Sequence, residues 1–162
     1  MLRMGKLTDY GIVMMRYLAM ERATQHSAHS LSDAVKMPLP TVRKVLKLLT
    51  QGGLLISERG ATGGYSLSRT PEQISIAEII TVIEGPIALT ECVSDDSTCE
   101  QEMHCAVQAN WARINDAVFH ALDEVKLADL LLPSHASVSP IRFYSPINKV
   151  NNTTLQDGEF HD

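Results

Sequence analysis

Three cysteines are the residues of this chain whose type and spacing point most clearly to chemistry. Cys92, Cys99 and Cys105 follow the pattern C-x6-C-x5-C within one polar, acidic stretch. Thiolates are soft ligands that suit iron–sulfur clusters, zinc and cuprous ions. Free cysteines that serve only as small apolar residues are usually buried, and the C-x2-C pairs common in zinc sites are absent here. The pattern therefore predicts a metal site without choosing the metal.

Three thiolates leave one position of a four-ligand site to be supplied by another residue. His104 directly precedes Cys105, and neighbouring residues rarely bind one metal together, while the Gln108 side chain is a poor ligand. Asp9 and Glu91 carry oxygen donors that could serve. The residues alone leave this fourth ligand open.

The cysteine count also bears on the compartment. An odd number of cysteines is a poor basis for a disulfide framework, and metal or redox chemistry in a reducing compartment explains it better. The most apolar early stretch, residues 11–20, is too short to span a membrane and is interrupted by Arg16. No signal-peptide pattern follows it. We therefore expect a cytoplasmic protein.

Charge is distributed very unevenly along the 162 residues. Residues 1–70 carry ten Lys and Arg against four Asp and Glu, whereas residues 71–162 carry four against fifteen. The overall net charge of −5 hides this division. A basic first part indicates that this part alone faces nucleic-acid phosphates.

Helical periodicity in the basic part predicts a helix-turn-helix. A first helix covers residues 7–20, with Thr8 or Asp9 as its cap, and a short second helix is capped by Ser30. A break at residues 37–40 precedes a third helix that runs to about Gln51, with Pro40 in its first turn. This helix is predicted to bury Val42, Val45, Leu46 and Leu49 and to expose Thr41, Arg43, Lys44 and Lys47. A basic second helix after a tight turn is typical of DNA-binding proteins.

A glycine-rich hairpin follows this helix. Strands are predicted over residues 54–57 and 65–68, joined by a loop that contains Arg59, Gly60, Gly63 and Gly64. Glycines allow a sharp turn and a close approach of the backbone to a phosphate. A nucleotide-binding phosphate loop is excluded, because no Lys-Ser/Thr pair and no helix follow the glycines. We interpret the hairpin as the wing of a winged helix.

Two further helices complete the predicted fold. Ser75 and Glu78 match a capping box before a helix whose buried face is Ile76, Ile79, Ile80 and Ile83. A longer helix over residues 106–124 continues a single apolar seam made of Val107, Trp111, Ile114, Val118, Leu122 and Val125. One such seam on a short chain favours helix packing in a homodimer. A short helix over 126–132 ends before Pro133.

These elements predict a mostly α fold with a small β-hairpin, a winged helix-turn-helix domain plus a long dimerisation helix. We expect the DNA-binding domain over residues 1–85, the cysteine-bearing loop over 86–105, and the dimerisation helix with the short end helix over 106–132. Residues 133–162 are polar and lack apolar periodicity, which predicts a disordered tail.

The combination resembles the IscR/NsrR-type family of iron–sulfur transcription regulators over about residues 1–132. The similar stretches are LTDYG (7–11), PTVRKVLKLL (40–49), GGLLISERGATGGYSL (52–67), ISIAEIITVIEG (74–85), the three cysteines, NWARINDAVFHAL (110–122) and VKLADLL (125–131). The first and last of these look most like the regulators of the SUF iron–sulfur assembly operon.

The resemblance implies a set of roles for residues. Cys92, Cys99 and Cys105 would bind an iron–sulfur cluster, either 2Fe–2S or 4Fe–4S. The IscR-like members use a His three residues after the last cysteine, where this chain has Gln108. NsrR-like members instead use an Asp of the first helix from the other subunit, and Asp9 stands at that position.

The resemblance also implies how DNA is bound. Thr41, Arg43 and Lys44 would enter the major groove. Independently of the resemblance, the positive charge of Lys47 on the same helix predicts salt-sensitive affinity for phosphate. Arg59 and the wing glycines Gly60, Gly63 and Gly64 would lie along the adjacent backbone or minor groove. The long helix would form a twofold homodimer on a promoter operator.

The function expected from these observations is a repressor or activator that senses iron–sulfur cluster status, oxygen, nitric oxide or iron supply and controls cluster-assembly genes. The alternative keeps the winged helix but gives the cysteines a thiol redox switch or a zinc site. The acidic surroundings disfavour the thiol switch, because they raise thiol pKa values. The chain shows no catalytic constellation, so we expect no enzyme activity.

Overall fold

The computed structural model describes residues 4–60, 63–90 and 107–132. The three cysteines, the wing residues 61–62 and the predicted tail lie outside these residues. In chain order, the described elements are α1 (Lys6–Met20), α2 (Ala28–Val35), α3 (Leu39–Gln51), β1 (Leu55–Ser57), β2 (Tyr65–Leu67), a 3₁₀ turn (Pro71–Gln73), α4 (Ile76–Glu84), α5 (Gln108–Glu124) and a 3₁₀ end helix (Leu127–Leu131). The expected mostly helical fold with one two-stranded hairpin is confirmed.

The hydrophobic core of the described residues lies between α1, α3 and α4. The four residues of α3 predicted to be buried are all fully buried, and so are Met14 and Met15 of α1 and Ile79 of α4. Leu31 brings α2 into the same core. Because burial of an aliphatic side chain contributes about 1.5–3 kcal/mol, this cluster holds the three helices in one arrangement. Among the described helices, none is long and apolar enough to cross a lipid bilayer.

The start of α1 differs from its prediction. Gly5 is the N-cap, and no side chain of the helix itself caps it. Glu84, the last residue of α4, accepts hydrogen bonds from the Gly5 N–H, at 2.7 Å, and from the Thr8 hydroxyl. Thr8 is fully buried, and Asp9 is exposed in the first turn. The prediction that Thr8 or Asp9 caps this helix is wrong, because a carboxylate from a distant helix takes that role.

The start of α2 also differs. Ser27, not Ser30, is the N-cap, and its hydroxyl oxygen accepts from the Ser30 N–H at 3.1 Å. Both serines lie before apolar residues, so spacing alone did not distinguish them. The start of α4 is as predicted: Ser75 and Glu78 form a reciprocal capping box. Of the four isoleucines predicted for the buried face of α4, Ile83 is only partly buried.

The chain returns from α5 to the core. The Ile76 N–H donates to the Val125 carbonyl at 2.9 Å, and the Leu127 N–H donates to the Ile74 carbonyl at 2.8 Å. Leu127 is fully buried, and Arg16 of α1 donates from Nε to the Leu130 carbonyl at 2.8 Å. The short helix predicted over 126–132 is thus a 3₁₀ helix that closes the core of the winged domain.

Candidate nucleic-acid interface

The outward face of α3 is basic. Arg43, Lys44 and Lys47 are exposed and Thr41 is half-buried, while the opposite face of the helix fills the core. No Asp or Glu occurs on α3, so the positive charge of this face is not offset within the helix. An exposed basic helix on a rigid base can enter the major groove of DNA and contact phosphates.

The turn before α3 sets its direction. Lys36 is the C-cap of α2, and its φ of 55° places it in the left-handed region. The Ser32 hydroxyl donates to the Met37 carbonyl at 2.6 Å, and the Met37 N–H donates to the Ser32 carbonyl at 3.2 Å. Pro38 is the N-cap of α3. These contacts fix the turn between α2 and α3, and the predicted helix-turn-helix arrangement is confirmed.

The hairpin lies next to this helix in the chain and forms the wing. β1 and β2 are antiparallel, with Leu55 opposite Leu67 and Ser57 opposite Tyr65. The Glu58 N–H donates to the Gly64 carbonyl at 2.9 Å, which extends the ladder toward the loop. Arg59 and Gly60 are exposed beyond this bond. The described part of the wing therefore presents one arginine at its base to solvent.

The glycines of the wing are needed for different structural reasons. A Cβ on Gly64 would lie 2.8 Å from backbone atoms of His26, and one on Gly63 would overlap the carbonyl of Glu58. Gly64 is buried, so the close approach it allows is between two segments of the protein. Gly60 has a φ of +130° and open space around it. Its approach to a phosphate stays a prediction, whereas packing explains Gly64.

Sequence reasoning missed His26, which joins the wing to α1. Its N–H donates to the Tyr65 carbonyl at 3.2 Å and its carbonyl accepts from the Tyr65 N–H at 2.9 Å. Its ring packs edge-on against Tyr17, with 5.3 Å between the ring centroids. A bridge of one residue leaves no alternating pattern in the sequence, so nothing in the polar stretch around His26 indicates this pairing.

The junction of α1 and α4 is a second area of interest, because the cysteine segment follows it. Glu84 bonds the first turn of α1, and a Cβ on Gly11 would overlap Ile83. Gly85, with a φ of +98°, then redirects the chain. Asp9 is exposed on the same first turn of α1. Within residues 4–60, 63–90 and 107–132, no three His, Cys, Asp or Glu side chains are grouped closely enough to bind a metal.

Known proteins share this arrangement of helices and hairpin. Residues 4–133 match the Rrf2 family, described as iron-dependent transcriptional regulators. The chain belongs to the Rrf2 family. Its similarity to the IscR/NsrR-type regulators is thereby confirmed at the level of the family, and its helices and hairpin are those of an Rrf2 winged helix.

Three Rrf2 relatives illustrate the range of similarity. The chain is 32% identical to the regulator CymR of Bacillus subtilis over 136 residues, which cover 83% of this chain and 94% of the relative. The solved structure of that protein, named the global cysteine regulator, superposes with a TM-score of 0.63 and covers 81% of this chain and 97% of CymR. The solved structure of T. potens IscR gives a TM-score of 0.61 at 27% identity, with coverage of 80% and 86%.

The third relative is the regulator NsrR of Shouchella clausii, which is 26% identical over 133 residues, 81% of this chain and 89% of that protein. All three are transcription regulators by name or family, so this Rrf2 chain is a DNA-binding transcription regulator and not an enzyme. Membership of the family does not specify which signal this chain senses.

Proposed function

We propose that this Rrf2 chain regulates transcription in response to an iron–sulfur cluster that Cys92, Cys99 and Cys105 bind. The donor set fits such a group, because three thiolates supply most of the soft ligands that a cluster requires. A bound cluster would supply a centre sensitive to oxygen, nitric oxide and iron supply. The observation that carries the proposal is that the end of α4, from which the chain leads on to the cysteines, is bonded to the first turn of α1 through Glu84.

Asp9 is the proposed fourth ligand. Its carboxylate is exposed on the turn of α1 to which Glu84 is bonded, and Glu84 stands eight residues before Cys92. Gln108, the alternative position for a ligand, begins α5 and already takes part in an interaction within the protein. A subunit-crossing Asp9 would also link cluster binding to the homodimer that we propose for α5.

The coupling to DNA follows from how the described elements are joined. In the chain, α4 precedes the cysteine segment and α5 follows it. The two helices pack against each other, and α4 belongs to the same hydrophobic core as α3. Fixing three thiolates at one centre restricts the distance between the end of α4 and the start of α5. In a dimer, that distance affects the spacing of the two α3 helices, which must match half-sites about one helical turn, or a multiple of it, apart.

On the DNA, we propose that Arg43 reads a base edge in the major groove, with Thr41 beside it. Lys44, Lys47 and Arg59 would contribute salt-dependent phosphate affinity, because they are exposed cations on α3 and at the wing. Gly60 would allow the wing backbone to approach the adjacent groove. We propose that the regulated genes encode iron–sulfur cluster assembly proteins, because residues 7–11 and 125–131 resemble those of SUF-operon regulators.

A second candidate function has one observation in its favour. The CymR relative is named a global cysteine regulator, which connects an Rrf2 winged helix with thiol metabolism rather than iron. In that case the cysteines would act as a thiol redox switch or a zinc site on the same DNA-binding fold.

The absorbance spectrum of protein prepared without oxygen separates these candidates. We expect visible charge-transfer bands, iron and acid-labile sulfide, all lost when the three cysteines are replaced by serine. We further expect anaerobic wild-type protein and the serine variant to differ in affinity for a duplex selected by the wild type from a random library. Colourless protein that contains zinc, or identical DNA affinities, would contradict the proposal.

The role of Asp9 has its own matched comparison. Asp9→Ala should make the cluster absorbance decay faster on exposure to air, whereas Asp33→Ala, which removes an equally charged exposed carboxylate from α2, should not. Equal decay in both variants would assign the fourth ligand elsewhere while leaving the three thiolates in place.

A further inference from the structure

A polar cleft lies in the part of the chain that the structure describes. It has a volume of about 340 Å³ and lies between the end of α1 and the chain that leaves β2. Its polar lining consists of Arg22, Thr24, Ser66, Ser68, Arg69 and Thr70. None of its lining residues is acidic. The two guanidinium groups are cationic hydrogen-bond donors, which suit an anion with several oxygens. The Ser68 and Thr70 hydroxyls instead donate to groups of the protein itself.

One wall of the cleft is held firmly. Arg69 donates to Glu78 at 2.9 Å and to the Gln73 carbonyl at 3.2 Å, so its guanidinium is positioned from outside the cleft. The Ser68 hydroxyl donates to the Gly53 carbonyl at 2.6 Å. Leu18 and Leu67 complete the lining from α1 and β2. This wall is therefore preorganised, which lowers the entropic cost of binding a ligand.

The opposite wall carries Arg22, an exposed arginine just beyond the end of α1. A hydrogen bond from the Thr70 side chain is the main cause of the lowered pKa of Glu72, and the charge of Arg22 is a smaller one. Glu72 is not part of the lining. A diffuse attraction to an exposed carboxylate is weak, so the Arg22 guanidinium can turn to an oxyanion in the cleft.

We propose that this cleft binds a phosphate-class oxyanion and is a second ligand site of the protein. The oxyanion comes either from a small free phosphate compound or from the DNA backbone. Because Ser68 connects the cleft to Gly53, which directly follows the turn that ends α3, an occupant stabilises the position of α3 and the wing. The proposal does not depend on the cysteines or on a cluster.

The first experiment titrates the anaerobic full-length protein with inorganic phosphate at constant ionic strength, followed by amide NMR shifts. We expect saturable shifts confined to residues near 22–24 and 66–70. Arg22→Gln should weaken phosphate binding about tenfold, since it removes a charged hydrogen-bond donor. The matched control Lys6→Gln makes the same change in charge at the other end of α1 and should bind phosphate like the wild type.

The second experiment identifies the source of the oxyanion. If the DNA backbone supplies it, Arg22→Gln lowers affinity for the selected duplex and reduces the salt slope by about one, and Lys6→Gln does not reproduce the change. If a free compound supplies it, Arg22→Gln leaves DNA affinity without phosphate unchanged and phosphate binding is saturable. Ser66→Ala, which keeps the charge, should weaken whichever binding is found. Unsaturable shifts spread over all basic residues, together with unchanged DNA affinity, would overturn the proposal.

Discussion

Helices α3 and α5 carry similar apolar seams but use them differently. Four residues of α3 are fully buried in the core of their own domain. No residue of α5 is buried in the described chain, and Trp111, Ile114 and Phe119 are 38%, 46% and 39% exposed. Only the partly buried Leu122, near the end of α5, packs against the core. Apolar periodicity therefore indicates that a seam must be covered, but it does not indicate which surface covers it.

The difference also separates two kinds of stability. The seam of α3 contributes to the folding of a single chain, because its partners are α1 and α4. The seam of α5 can contribute only when another surface covers it, and exposed aromatic residues are typical anchors of such interfaces. We propose that a second copy of this chain covers it. Variants on the two helices, and one where α5 meets α4, test whether α3 stabilises the single chain and α5 stabilises an association.

The largest effect is expected for loss of a buried residue of α3. Leu46→Ala removes a fully buried side chain and leaves a cavity, so we expect the free energy of unfolding to fall by about 2–5 kcal/mol. Urea unfolding at several protein concentrations measures it. Ile114→Ala on α5 is the matched control. Its loss of stability should depend on protein concentration, because this residue stabilises the associated chain and not the folded monomer. Equal, concentration-independent losses would erase the contrast between the two seams.

The next effect concerns association. Trp111→Ala removes the largest partly exposed apolar side chain of α5, and interface tryptophans often contribute about 2 kcal/mol or more to binding. We expect the homodimer to dissociate at concentrations where the wild type remains paired, as measured by sedimentation velocity. The secondary structure should be unchanged by circular dichroism. A monomeric wild type, or an unaffected dimer, would assign the exposed seam to another role.

The polar faces of the two helices give the third test. Arg43→Ala on α3 should cost about 1–3 kcal/mol of discrimination at one base position of the selected duplex. Arg113→Ala removes the same exposed charge from α5 and should leave the base preference unchanged. Binding to a panel of single-base variants measures both. If Arg43→Ala weakens all duplexes equally, Arg43 contacts phosphate and does not read a base.

The smallest effect lies where the end of α5 meets α4. Ser75→Ala removes the capping-box acceptor of α4 and should cost about 1 kcal/mol. The Ser75 hydroxyl is also the main cause of the lowered pKa of Asp123. A lowered folded-state pKa adds stability above the unfolded pKa and loses it as the pH falls through the folded pKa. Ser75→Ala should therefore flatten part of the acid-induced loss of stability, measured by thermal unfolding at low pH, with Ser57→Ala as an exposed serine control.

Much of the fold could be predicted because its signals are local. The bounds of α3, its buried face and the capping box of α4 follow from side chains within a few turns of one another. The outward basic face of α3 followed equally directly, since burying Val42, Val45, Leu46 and Leu49 leaves Arg43, Lys44 and Lys47 on the other side. These parts of the candidate DNA interface required no knowledge of distant contacts.

The remaining features depend on residues far apart in the chain. Glu84 caps α1 across 79 residues from Gly5, and His26 pairs with Tyr65 at the base of the wing. Gly64 looked like a phosphate-binding glycine, yet the backbone of His26 occupies the space a side chain would need. The contact of Glu84 with α1 and the pairing of His26 with Tyr65 leave no periodic pattern in the sequence, because each is made at a single position.

From the order of the amino acids one can establish which segments are helical, which face of each helix is apolar and where the positive charge gathers, since propensity, periodicity and charge are properties of neighbouring residues. The folded chain is needed to show that Glu84 caps α1, that Leu127 closes the core and that Arg22 and Arg69 line one cleft. Those outcomes depend on which surfaces meet when the core packs, and that is a property of the whole chain.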